Sequence, residues 1–296
     1  MEYTYEQKLE MAKNARVRIA PSQLPESQLA YLDQVEITNC FLETRNGQTS
    51  YYLVENKEKK TLAPLIMSIH GGGFCKGYGK ADTAFSAMLA VETGAVVLDL
   101  DYKLSPENPF PVAYEEGYDL LKWAYEHAEE LGADKEKIIL CGQSSGGNLA
   151  AVIAMEAAKT KEIKVRLQIL NYPPMDVYTD PADKPEASKS YIPFDKARAY
   201  NTLYIEKEED AKNPYVSPIF ATRDMLECLP DALVITAEND SLHNEAETYA
   251  VHMMEAGVKV TMKKFLNSNH GFIIYCMGDE WHNAHKLIID AINKNL

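Results

Sequence analysis

Cysteine is scarce in this chain and forms no pairing pattern. The five cysteines, Cys40, Cys75, Cys141, Cys228 and Cys276, lie far apart, and no C-x-x-C occurs. This argues against a zinc site and against a disulfide framework, and it fits buried thiols in a reducing cytoplasm. Long apolar runs are missing too, so membrane insertion is not expected. The first residues, Met1-Glu2-Tyr3-Thr4-Tyr5-Glu6-Gln7-Lys8, lack the apolar core of a secretion signal, and a cytoplasmic location is the expectation. Positive charge is in deficit: 30 Lys and Arg stand against 44 Asp and Glu, a formal net charge of −14. Nucleic acid and anionic membranes are therefore poor partners, and a small neutral substrate is easier to accept than a polyanion. No internal repeat and no low-complexity tract is found.

A chain of 296 residues can bury a substantial core, as one large α/β domain or two small ones. Residues 5–19 can form a short amphipathic helix. Residues 33–43 and 49–55 alternate apolar and polar side chains around Asn46-Gly47, a hairpin signal. Largely apolar runs follow at 64–69, 95–100, 137–141, 165–170, 231–236 and 258–265, as expected of strands covered on both faces. Helical patterns lie between most of them, at about 80–92, 111–131, 145–159 and 242–256, with a further one at 280–294. This alternation predicts a mostly parallel sheet with helices on both faces. One stretch breaks it. Residues 172–216 hold several prolines and tyrosines and Phe194, and a connection this long is usually functional. It is read as a cap of about 175–212, completed by about 1–30, on a single domain spanning 1–296.

Gly142-Gln143-Ser144-Ser145-Gly146 follows the apolar run ending at Cys141 and precedes a helical pattern. Strand, G-x-S-x-G, helix is the context of a nucleophile elbow, a tight turn that exposes a serine at its tip. Serine is a weak nucleophile and needs a base, a group that orients the base, and donors for the oxyanion. His70-Gly71-Gly72-Gly73-Phe74 directly follows the run at 64–69. The backbone amides of Gly72 and Gly73, with that of Ser145, are the candidate oxyanion donors. A phosphate-binding turn is the weaker reading, because no Lys-Ser/Thr follows in the P-loop pattern.

Seven histidines compete for the role of base. His70 is read as bracing the glycine loop, His127 and His252 as solvated on helices, and His282 and His285 as surface residues of the last helix. His270 lies in Asn267-Ser268-Asn269-His270-Gly271-Phe272, just beyond the final strand, where the chain order Ser…Asp…His places the base. The orienting acid should follow an intervening strand. Asp240, after the run at 231–236, is the choice; Glu238 competes with it, and Glu245 is a more distant third.

With these residues in view, the chain resembles the hormone-sensitive-lipase-like carboxylesterases of the α/β-hydrolase fold, over roughly residues 60–275. His70 to Phe74 is similar to that family's oxyanion motif. Asp101-Tyr102-Lys103-Leu104-Ser105-Pro106-Glu107 is similar to its D-Y-R-L-A-P-E segment, and Asn213-Pro214-Tyr215-Val216-Ser217-Pro218 is also familial. The resemblance implies Ser144, Asp240 and His270 as nucleophile, acid and base, with no metal or organic cofactor. It implies short-acyl esters, such as acetyl esters, as substrates, and a homodimer through the last strand or helix. Acetylated sugars are candidates within that class, with the cap tyrosines stacking on sugar rings. The elbow departs from the family's usual G-D-S-A-G, since Gln143 stands where a carboxylate is expected. The competing reading is a non-catalytic small-molecule receptor of the same fold.

Overall fold

The computed structural model describes residues 3–17, 23–58 and 62–295. Its strands are β1 (Val35–Thr44), β2 (Gly47–Asn56), β3 (Ala63–Ile69), β4 (Val96–Asp101), β5 (Ala133–Gln143), β6 (Val165–Asn171), β7 (Asp231–Asn239) and β8 (Val260–Asn269). They form one sheet in the order β1-β2-β4-β3-β5-β6-β7-β8. The Asn46-Gly47 hairpin makes β1 and β2 antiparallel, β2 joins β4 antiparallel, and every later pairing is parallel.

The helices are α1 (Tyr5–Ala15), α2 (Glu26–Leu29), α3 (Lys80–Thr93), α4 (Val112–Glu126), α5 (Ser145–Thr160), α6 (Phe194–Tyr204), α7 (Arg223–Leu226), α8 (His243–Glu255) and α9 (Trp281–Lys294). The two-residue period of the strands divides the core. Leu65, Met67 and Ile69 of β3 face the layer holding α4, α5 and α8, whereas Ile66 faces the layer holding α3 and α9. Both faces are thus covered, which is why β3 reads as a largely apolar run and is buried at every residue. The architecture is an α/β-hydrolase fold with a mostly parallel eight-stranded sheet.

Four expectations are corrected. The helix expected over 5–19 ends at Ala15, and residues 18–22 lie outside the described ones. His285 is not a surface residue: it is 6% exposed, packs beside Phe85 and Trp281, and shares a 3.1 Å hydrogen bond with the Ile273 carbonyl. Burial lowers its pKa to about 4, so it is neutral and donates from Nε2. The cysteines are not all buried, since Cys228 is exposed. His127 and His252 are half-buried rather than fully solvated; the His127 ring lies on Trp123.

The long connection after β6 is held at both ends by one side chain. Asn148, buried in α5, donates from Nδ2 to the carbonyls of Pro174 and Val216, at 2.8 and 3.0 Å. Between those points the chain forms α6, which packs on α1. Ala12 and Ala15 meet Leu203 and Cys75 there, with Ala199 and Tyr200 alongside. Lys8 donates to the Ile205 carbonyl, and Arg16 donates to the carbonyls of Cys75 and Ser105 and pairs with Glu107. Charge-assisted bonds to backbone carbonyls therefore tie the N-terminal helix to the loops after β3 and β4.

Candidate active site

The candidate residues come from loops at the carboxyl ends of parallel strands, where open α/β sheets place their ligands. Ser144 sits between β5 and α5 with φ +53° and ψ −121°, a conformation that L side chains rarely adopt. Several contacts hold it there. Its N–H donates to the Asn171 carbonyl, and its own carbonyl accepts from the amides of Gly147 and Asn148. Strain of this kind costs about 1–3 kcal/mol and persists only where the surroundings enforce it.

The sequence-predicted acid and base meet this serine. His270, just after β8, places Nε2 2.8 Å from Ser144 Oγ. Its Nδ1 lies 2.6 Å from Asp240 Oδ2, at the end of β7. Asp240 is 2% exposed, and its other oxygen accepts from the Leu242 amide at 3.1 Å. The two rival acids are elsewhere. Glu238 accepts from the Asn267 amide, and Glu245 is buried against Lys184. Ser144, His270 and Asp240 thus form a continuous hydrogen-bonded line, and neither glutamate joins it.

The glycine loop after β3 lies against the elbow. A Cβ on Gly71 would fall 2.8 Å from the Gln143 carbonyl oxygen, so only glycine permits this approach. Gly73, at φ +59°, lies under the ring of Tyr200 from α6, which a Cβ would meet at 2.4 Å. The amides of Gly72, Gly73 and Ser145 make no backbone hydrogen bond among the described residues. His70 braces this loop. Its ring stacks on Tyr102 at 4.2 Å and 5°, and its Nδ1 donates to the Gly71 carbonyl at 2.7 Å. Burial lowers the His70 pKa to about 4, which keeps the ring neutral. The Tyr102 hydroxyl donates to the His70 carbonyl, and the Ser105 amide donates to the Phe74 carbonyl. The Asp101–Glu107 segment therefore scaffolds the glycine loop.

Gln143 has a partner the sequence did not reveal. The Tyr172 hydroxyl donates to its Oε1 at 2.6 Å, and the Tyr172 ring lies 4.8 Å from the His270 ring. The neighbour of Ser144 and the imidazole are thereby linked through one tyrosine. Beside Ser144 is a cavity of about 70 Å³, walled by Tyr172, Tyr191, Ile192, Tyr200, Ile274 and Tyr275. Pockets for drug-sized ligands run to about 300–1,000 Å³, so this one suits a group of a few atoms. Among the described residues no group of three His, Cys, Asp or Glu could hold a metal ion, and no helix is long and apolar enough to cross a membrane.

Known proteins share this arrangement of chain. A family model described as the α/β-hydrolase fold matches residues 66–274. The arylesterase of Saccharolobus solfataricus is 35% identical over 222 residues, covering 73% of this chain and 70% of that one. This chain belongs to the hormone-sensitive-lipase-like carboxylesterase family. The ethyl acetate hydrolase of Pseudomonas putida is 27% identical, covering 88% of this chain and 83% of that one. Among solved structures, a hyperthermophilic esterase from the archaeon Pyrobaculum calidifontis superposes with a TM-score of 0.83 at 30% identity, covering 99% of each chain. Membership in this family, and relatives at this level of identity, support a hydrolase of the carboxylesterase class.

Proposed function

We propose that this chain is a serine carboxylesterase that hydrolyses short-acyl, acetyl-like esters of small neutral alcohols through an acyl-enzyme. The observation that carries the reading is the unbroken line from Ser144 Oγ through His270 to Asp240, at 2.8 and 2.6 Å. Ser144 Oγ attacks the ester carbonyl while His270 Nε2 takes its proton; Asp240 holds the imidazole and stabilises its charged form. The amides of Gly72, Gly73 and Ser145 receive the oxyanion, an assignment supported by their making no backbone hydrogen bond among the described residues, beside the serine. The tetrahedral intermediate collapses, and His270 returns the proton to the departing alcohol. Water then repeats the attack on the acyl-serine, releasing the acid and restoring Ser144. The small cavity favours acetyl over long acyl chains. Its tyrosines favour an aromatic or sugar alcohol, and α6, backed by α1, forms the cap beside it.

The test is release of p-nitrophenol from p-nitrophenyl acetate by the wild type, with Ser144→Ala as control, extended to ethyl acetate and acetylated xylo-oligosaccharides. Turnover of acetyl esters that weakens as the acyl chain lengthens is the expected result. No turnover of any ester would favour the receptor reading.

Gln143 supplies a second prediction. Gln143→Glu would restore a carboxyl group where relatives carry one, against the Tyr172 hydroxyl and close to His270. A negative charge nearby favours the imidazolium over the neutral ring. Turnover needs the neutral imidazole, and the acid limb of the kcat/KM pH profile should move upward by about one unit. An unmoved limb, with activity intact, would show that the Gln143 side chain does not act on the base.

A further inference from the structure

A buried ion pair outside the Ser144–His270–Asp240 line ties the loop after β6 to the start of α8. Lys184 and Glu245 are 6% and 7% exposed. Lys184 Nζ lies 2.5 Å from Glu245 Oε2 and donates to the Asp176 carbonyl at 2.7 Å. The other Glu245 oxygen accepts from the amides of Met175 and Asp176, at 2.8 and 3.1 Å. Each group is costly to bury alone, and together they satisfy one another and two backbone donors. Burial outweighs the attraction of Lys184 and pushes the Glu245 carboxyl up to about 7.

The loop pinned in this way touches two parts of the site. Ser190 Oγ accepts from the Ser241 amide at 3.2 Å, and the Tyr191 amide donates to the Asn239 carbonyl at 3.1 Å. Those bonds flank Asp240 on both sides. The next two residues of the loop, Tyr191 and Ile192, are pocket wall. A second tether, the Asp180–Arg198 pair with α6, is about 40% exposed and contributes little by comparison.

On the serine-esterase reading, we infer that Lys184 and Glu245 form a positioning latch that sets, through residues 175–192, both the placement of Asp240 and the width of the pocket beside Ser144. Neither residue touches the reacting atoms. The latch predicts coupled effects on turnover and on acyl-chain selectivity, which loss of stability alone would not produce.

Three variants of the full chain separate these outcomes. Glu245→Gln keeps an acceptor for the two amides and removes the charge opposite Lys184. Lys184→Met removes the cation, and Lys184→Arg restores it. The readouts are kcat and KM for p-nitrophenyl acetate and butyrate, and hydrogen–deuterium exchange over 175–192. Glu245→Gln and Lys184→Met are expected to lower kcat and to shift the butyrate-to-acetate ratio of kcat/KM by at least about fivefold. In Lys184→Met, exchange over 175–192 should quicken by at least about tenfold; in Glu245→Gln, which keeps the acceptor for the Met175 and Asp176 amides, it should quicken elsewhere in the loop. Lys184→Arg should stay within about twofold of wild type in the ratio, because one pocket wall is preserved. Should Lys184→Met fail to fold, Glu245→Gln carries the test. An unchanged ratio, with both esters slowed equally or not at all, overturns the latch. A wild type without esterase activity overturns the function proposed above instead, and the exchange comparison then still decides whether the pair pins the loop.

Discussion

Ser144→Ala is expected to lower kcat/KM for p-nitrophenyl acetate by roughly 10⁶-fold, the scale on which losing the nucleophile of a serine hydrolase acts. The change removes the atom that would bond to the acyl carbon and leaves His270 without a proton to take. A residue of roughly 10³–10⁴-fold over water should survive, because backbone amides can still stabilise an oxyanion formed by attack of water. Folding should be nearly unaffected. Alanine carries the same Cβ as serine, so the φ of +53° is no more strained than before. The lost bond to His270 is a single partly buried one, worth about 1 kcal/mol. Turnover and thermal melting of the two proteins, measured side by side, check both halves. A variant that keeps a tenth of the wild-type rate would remove Ser144 from the chemistry.

The line on which this prediction rests was legible because each of its members is marked locally. Ser144 is announced by a strand, two flanking glycines and a helix. His270 and Asp240 follow strands whose apolar runs are plain in the sequence. The choice between Asp240, Glu238 and Glu245 was harder, since all three follow the same strand within a few residues. The partners decide it: Asp240 meets His270, Glu238 accepts from the Asn267 amide, and Glu245, in the first turn of α8, pairs with Lys184. The burial of His285 could have been read. Trp281, His285, Ile288 and Ile292 recur at helical spacing, and all four are inward on α9. The Gln143–Tyr172 bond could not. It spans 29 residues and needs a left-handed turn at Tyr172, φ +41°, for which no glycine or asparagine gives notice. Side chains that meet only after the sheet is assembled leave no periodic trace, and Lys184 with Glu245 belongs to the same class.

Gly146→Ala is expected to damage the fold and the site together. A Cβ at this position would stand 2.1 Å from the Ile69 carbonyl oxygen and 2.5 Å from that of His70. Both obstacles are backbone, so no rotamer change relieves them; either α5 or the end of β3 must move. Overpacking of a tight core costs about 1–3 kcal/mol and more where the backbone is the obstacle, which should lower the melting temperature by about 6 °C or more. Alanine favours helix over glycine by about 1 kcal/mol, so a loss of this size runs against intrinsic propensity and isolates the clash. Activity should fall as well. The contact that would be forced open holds the first turn of α5 against the residue preceding Gly71, and so sets how near the Ser145 amide lies to those of Gly72 and Gly73. On the oxyanion assignment proposed above, misplacing one of these donors costs about 10²–10³-fold in kcat. Gly77→Ala is the control: that glycine is exposed, lies outside the left-handed region, and its Cβ would meet only Leu104 Cδ1 at 3.6 Å. It should melt within about 1 °C of wild type, as surface substitutions generally do. If Gly146→Ala melted and turned over like Gly77→Ala, the close approach of α5 to β3 would not be what brings the two sets of donors together.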